Sequence, residues 1–157
     1  MTALPLIPRY QNLFVSRTFS KAYGMAAMRM GCLMSSAPNM AHMRKAQSPY
    51  SVNLLAALAA KVAVTDTEYV NSFVAEAIAS RETLYRFFDE MGIGYWKSEA
   101  NFVLFKAGER AVPIRDELKR RGVLVRDRSY ELPGAVRVTV GRAEQTERFM
   151  RELREIW

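Results

Sequence analysis

This 157-residue sequence has one cysteine, Cys32, and one histidine, His42. A single cysteine excludes an internal disulfide and fits a reducing compartment. No Cys/His cluster has the spacing a zinc site needs, so no metal ligand set is expected. His42, set among methionines in a predicted helix, reads as a surface or boundary residue. Long hydrophobic runs are missing too. The longest apolar helical stretch, Val52–Ala60, is closed by Lys61 and is too short to cross a bilayer. The N-terminus holds Pro5 and Pro8 and no basic residue before Arg9, so it does not read as a signal peptide. There is no internal repeat or low-complexity tract. These absences point to a soluble cytoplasmic protein with no membrane partner.

What is present is ordinary in bulk. Half of the residues are hydrophobic and 25% are charged, as in a soluble globular chain long enough for one domain or for one domain plus a remnant. The net charge of +7 raises nucleic acid as a partner. The basic residues are scattered, however, and many alternate with acids, as in Arg115-Asp116-Glu117-Leu118-Lys119-Arg120-Arg121. Such runs are solvated helix faces, so no nucleic acid is expected.

Hydrophobic periodicity and turn residues divide the chain. Strands are predicted at Leu13 to Arg17 and Met30 to Ser35, then helices at Pro38 to Gln47 and Val52 to Val64. Thr65, with Glu68 three residues on, reads as the capping box of a long amphipathic helix to about Met91, with Gly92 past its end. That helix repeats Val70, Phe73, Val74, Ala77, Ile78, Leu84, Phe87 and Phe88 at helical spacing, so one face is expected to be buried. Strands follow at Gly94 to Lys97 and Phe102 to Lys106, and a helix at Pro113 to Arg121. Two more strands, Val123 to Arg126 and Val136 to Val140, precede a closing helix, Ala143 to Ile156. From residue 65 this order suggests a compact α+β unit with a small sheet covered by helices.

The chemistry concentrates around Lys21. An apolar run, Leu13-Phe14-Val15, feeds into Arg17-Thr18-Phe19-Ser20-Lys21-Ala22-Tyr23-Gly24, and Met28-Arg29-Met30-Gly31 follows. Two hydroxyls, a flexible turn and an arginine are what a phosphate dianion needs, because each offers donors and arginine offers a planar fork. A lysine beside a bound phosphate suggests a Schiff base with a phosphorylated aldehyde. A lone Ser-Lys pair would be only a polar turn. Here Thr18, Ser20, Lys21, Gly24, Arg29 and Gly31 stand in one ordered pattern behind a predicted strand.

That pattern resembles the cofactor-lysine segment of fold-type I pyridoxal-phosphate (PLP) aminotransferases, and most closely the histidinol-phosphate aminotransferases. One departure is Ala27, where the family has glycine, so a positive φ there would be strained. Three later segments are similar in order: Ser98 to Phe105 with its Asn101-Phe102 pair, Gly122 to Asp127, and Val136 to Gly141. The likeness runs from about Asn12 to the C-terminus.

The resemblance implies an α/β to α+β architecture. Residues 1–64 would be the remnant of the large PLP-binding domain, and residues 65–157 the small C-terminal α+β domain. It makes Lys21 the residue that holds PLP and shuttles a proton, and gives Ser20, Arg29 and, more weakly, Thr18 the cofactor phosphate. Tyr23 is expected to pack rather than react. Arg137, a charge in an otherwise apolar strand, would take the substrate carboxylate. Arg126 has two readings, a local ion pair with Asp127 or the substrate's distal phosphate. Asn101 either faces the cofactor or simply enters a strand. The implied substrates are a small-molecule amino donor and a 2-oxo acid, and the implied assembly is a homo-oligomer.

Most of the family's large domain, with the aspartate that pairs with the pyridine nitrogen, has no counterpart before Asn12. The chain by itself is therefore expected to be truncated and inactive. The alternatives are a non-catalytic fragment acting through self-association and a PLP-dependent amino-acid decarboxylase relative.

Overall fold

The computed structural model describes residues 2–157. It forms two compact units, one up to Val70 and one from Asn71 to Trp157. All strand pairings among the described residues are antiparallel, and no helix there is long and apolar enough to cross a membrane.

The described residues of the first unit include a hairpin and two complete α-helices. Strand β1 (Val15–Thr18) pairs with β2 (Gly31–Met34) in a register that sets Val15 opposite Met34 and Thr18 opposite Gly31. The base of the hairpin is tied by side chains. Ser35 Oγ donates to the Leu13 carbonyl at 2.6 Å, and Asn39 Nδ2 donates to the Gln11 carbonyl at 2.6 Å. Helix α1 (Ala37–Ala46) starts with a proline in its first turn, where the missing N–H costs nothing. Helix α2 (Leu54–Ala63) buries its small residues, Ala56 and Ala60, while Leu54 and Leu55 are 72% and 70% exposed.

Helix α3 (Thr67–Glu90) does not start on the predicted capping box. The Asp66 carboxylate accepts from Tyr69 N at 3.2 Å, whereas the Thr65 hydroxyl donates back to the Val62 carbonyl at 2.7 Å. Thr65 therefore closes α2, and the shorter reach of Asp66 caps α3. The amphipathic face is also only half used. Leu84, Tyr85, Phe87 and Phe88 are buried, but Val74 and Ile78 are exposed.

The second unit is a four-stranded sheet in the order β3-β4-β6-β5, from β3 (Tyr95–Trp96), β4 (Phe102–Lys106), β5 (Arg126–Asp127) and β6 (Ala135–Thr139). Alternation along the strands sends Val103, Phe105, Val136 and Val138 into the core, with α3, α4 (Ala111–Arg120) and α5 (Ala143–Ile156) supplying Phe88, Ile114, Leu118, Phe149 and Leu153. Strand β5 is shorter than expected. After the left-handed Gly122, Val123 N bonds back to the Leu118 carbonyl at 2.8 Å and completes the helix exit, and strand pairing begins only at Arg126. Arg121 then joins α4 to α5 through Glu117, Glu152 and Glu155. The Arg120 and Arg121 guanidiniums hold the Glu117 carboxyl down at about 2. Two loops touch backbone to backbone at Gly134, where a Cβ would lie 2.6 Å from Gly108 Cα.

Candidate active site

The hairpin β1–β2 carries Thr18, Ser20, Lys21 and Arg29 in a single loop, residues 19–30, which its own backbone closes. Phe19 N donates to the Met30 carbonyl at 3.2 Å, extending the ladder one step beyond Thr18 and Gly31. Ser20 and Arg29 thus leave the ladder on facing arms. Met25 N then reaches back to the Phe19 carbonyl at 3.0 Å, and Gly24 N to the Lys21 carbonyl at 2.8 Å, with Gly24 at φ +67°. Lys21 sits at the outer bend with an exposed side chain. Beneath it Phe19 is buried, and the Tyr23 ring packs on Phe19 at 4.8 Å between centroids.

The hydroxyls divide the work. Thr18 Oγ1 accepts from Ser20 N at 3.1 Å and so shapes the turn that delivers Ser20 and Lys21. Ser20 Oγ has no hydrogen-bond partner among the described residues and remains a donor for a ligand. Gly31 is favoured by closeness, since a Cβ there would crowd the Arg17 carbonyl oxygen at 3.0 Å.

Strain enters at a position sequence reasoning did not select. Ala27 lies in a short 3₁₀ turn, Ala26–Met28, without a positive φ, so the absent glycine is harmless there. The left-handed residue is Arg29, at φ 54°, the only non-glycine with positive φ among the described residues. An L-residue in that conformation costs roughly 1–2 kcal/mol. Its guanidinium Nη1 donates to the Ala26 carbonyl at 2.8 Å, and Asn53 Nδ2 donates to the Met28 carbonyl at 3.4 Å. Arg29 also borders an open cleft of about 470 Å³, with Leu33, Met40, Met43 and Arg44 on its walls.

In the second unit the sheet brings Arg126 and Arg137 side by side as cross-strand partners. Like charges directly opposite repel, and among the described residues neither has a carboxylate within 4.0 Å. Arg137 lies over the Phe102 ring at 5.0 Å, which offsets part of the cost of its half-buried position. The ion pair considered for Arg126 does not form. Asp127 instead accepts from Ser129 N and Oγ at 2.9 and 2.5 Å, and its nearest cation is Arg115 at 3.9 Å. The Ser129 bonds hold the Asp127 carboxyl below its ordinary value. Asn101 stands at the entry of β4, where its carbonyl accepts from Val140 N at 2.8 Å. Among the described residues no group of three His, Cys, Asp or Glu gathers as a metal site.

The family model for class I and II aminotransferases matches residues 1–153. The chain belongs to that family. A histidinol-phosphate aminotransferase of Symbiobacterium thermophilum is 45% identical over 150 residues, covering 95% of this chain and 42% of that protein. The chain spans under half the length of the curated relatives it matches. A solved histidinol-phosphate aminotransferase of Sinorhizobium meliloti, in complex with pyridoxal-5'-phosphate, superposes at TM-score 0.81 and 24% identity, over 94% of this chain and 42% of that one. L-threonine-O-3-phosphate decarboxylase from Porphyromonas gingivalis also shares the fold, at TM-score 0.75 and 24% identity, over 96% of this chain and 48% of that one. An aminotransferase and a decarboxylase on one fold show that the architecture alone does not select the reaction.

The loop fits a phosphorylated aldehyde. It offers an exposed primary amine, a hydroxyl and a guanidinium within one closed turn, with no acidic side chain among residues 19–30 to oppose an anion.

Proposed function

We propose that this chain is the cofactor-lysine portion of a PLP-dependent aminotransferase of the histidinol-phosphate type. In this reading residues 1–64 belong to the large PLP-binding domain and residues 65–157 form the small α+β domain. The observation that carries it is the closed loop 19–30, which presents Ser20 and Arg29 on facing arms with Lys21 at the bend. Identity of 45% to an aminotransferase favours transamination over decarboxylation.

When bound, PLP supplies the electron sink that makes a substrate Cα–H acidic. The protein's part is positional and acid–base. Ser20 and Arg29 hold the phosphate, and Thr18 sets the turn. The Lys21 amine would hold the aldehyde and would serve as the base that takes the proton from the substrate Cα. Arg137 takes the donor's anionic end, Arg126 its distal phosphate, and Asn101 lines the cofactor side. The substrates are a small amino donor and a 2-oxo acid, in a soluble cytoplasmic homo-oligomer. Exposed Leu54, Leu55, Leu58 and Val62 on α2 support association.

Two measurements test this reading. Amino donors with a terminal phosphate should displace the PLP–Lys21 absorbance at about tenfold lower concentration than donors lacking it, one charge-assisted contact being worth roughly 1.5–3 kcal/mol. Arg126→Ala should erase that advantage, and indifference to the phosphate in the unmodified chain would overturn the substrate class. These 157 residues contain no match to the family aspartate that keeps the pyridine nitrogen protonated. Assayed alone, the chain should therefore give negligible keto acid in single-turnover experiments. Stoichiometric conversion would show that the aspartate is dispensable or replaced.

A further inference from the structure

Asn53 has no place in the phosphate-holding reading, yet its side chain makes two bonds of different purpose. Its Oδ1 accepts from Ala56 N at 2.8 Å and caps α2. Its Nδ2 donates to the Met28 carbonyl at 3.4 Å, across a sequence separation of 25. A helix cap needs only the first bond. The second reaches the peptide unit that joins Met28 to Arg29. That unit is planar, so the Met28 carbonyl and the Arg29 N–H turn together. Fixing the carbonyl fixes the plane from which the left-handed φ of Arg29 is measured. The guanidinium bond to the Ala26 carbonyl restrains the far end of the same side chain.

We infer that Asn53 is a positioning residue for Arg29, coupling the start of α2 to the phosphate-holding loop. Strained backbone at a functional residue persists when its surroundings over-determine it. Without the Asn53 amide, Arg29 can relax to an ordinary conformation, and its guanidinium then leaves its place at the Ala26 carbonyl. The effect should therefore depend on the ligand's phosphate and should pass through Arg29. The inference rests on the proposed cofactor role of the loop.

The test compares PLP with pyridoxal, which lacks the phosphate. Each aldehyde is trapped with borohydride on the full 157-residue chain, and the Lys21 peptide is quantified by mass spectrometry. The unmodified chain should prefer PLP. Asn53→Ser keeps a helix-capping oxygen but is too short to reach Met28. It should lower the PLP-to-pyridoxal ratio about three- to tenfold, the range for one lost hydrogen bond, with helix content by circular dichroism unchanged. Asn53→Ala should lower the ratio equally. In an Arg29→Ala background, Asn53→Ser should have no additional effect.

A ratio unchanged in Asn53→Ser would overturn the inference. So would an equal fall for both aldehydes, which marks a purely structural role, or a full additional loss on top of Arg29→Ala. An unmodified chain with no preference for PLP would overturn both this inference and the cofactor reading beneath it. A preference that ignores Asn53 overturns the inference alone.

Discussion

Borohydride trapping with PLP is expected to label Lys21 alone, and Lys21→Ala is expected to remove the labelled peptide entirely. Any exposed amine can react with an aldehyde, so the selectivity must come from the phosphate. Lys45, Lys61, Lys97, Lys106 and Lys119 lie outside loop 19–30. Lys106 has its ammonium over the Trp96 ring at 5.0 Å. Lys21 alone shares a closed loop with Ser20 and Arg29. A phosphate held there converts a weak bimolecular encounter into a local one, which is worth orders of magnitude in occupancy. Peptide mapping at substoichiometric PLP is the measurement, and labelling spread evenly over the six lysines would defeat the assignment.

Phe88→Ala is expected to have the largest effect on stability. Phe88 is fully buried, with the rings of Phe105, Tyr95, Phe87 and Phe149 at 5.2, 5.6, 5.7 and 6.4 Å. It therefore joins α3, β3, β4 and α5 at one point. Truncating a phenylalanine in such a core costs about 3–5 kcal/mol, against a total of roughly 5–15 kcal/mol for a domain. Thermal unfolding should show a much earlier transition, while Leu124→Ala, at a position 77% exposed, should leave it nearly unchanged. Equal shifts for the two variants would mean that this ring cluster is not what holds the unit together.

The sequence made most of the second unit legible, because its elements obey short-range rules. Strands were legible at Phe102 to Lys106 and Val136 to Val140, where β4 and β6 lie, and Gly92 and Gly122 marked two helix ends. Class I and II aminotransferase membership was legible in the ordered pattern around Lys21. Failures came where two local signals competed. Thr65 and Asp66 are both good caps, and the choice was made by the preceding helix, which used the threonine. Val123 to Val125 are good strand residues, but the exit bond of α4 claimed Val123 and pairing starts only at Arg126. The Ala27 departure drew attention to the wrong residue, since the left-handed position is borne by Arg29, an unusual choice that no local rule selects. Asn53 was missed for a different reason. An asparagine before an Ala/Leu helix signals a cap, but its second bond spans a distance in sequence that periodicity does not see.

The touching loops at Gly108 and Gly134 make two similar turns unequal as places where the sequence can drift. Both glycines have left-handed backbones, at φ +59° and +73°. A side chain added at 108 would point into open space, whereas one at 134 would strike the backbone of 108. In a saturation library, asparagine and aspartate, which tolerate that conformation, should survive at 108, and every replacement at 134 should be depleted. Two residues that look interchangeable as letters would then carry opposite mutational tolerance, decided by which of them lies beneath the other.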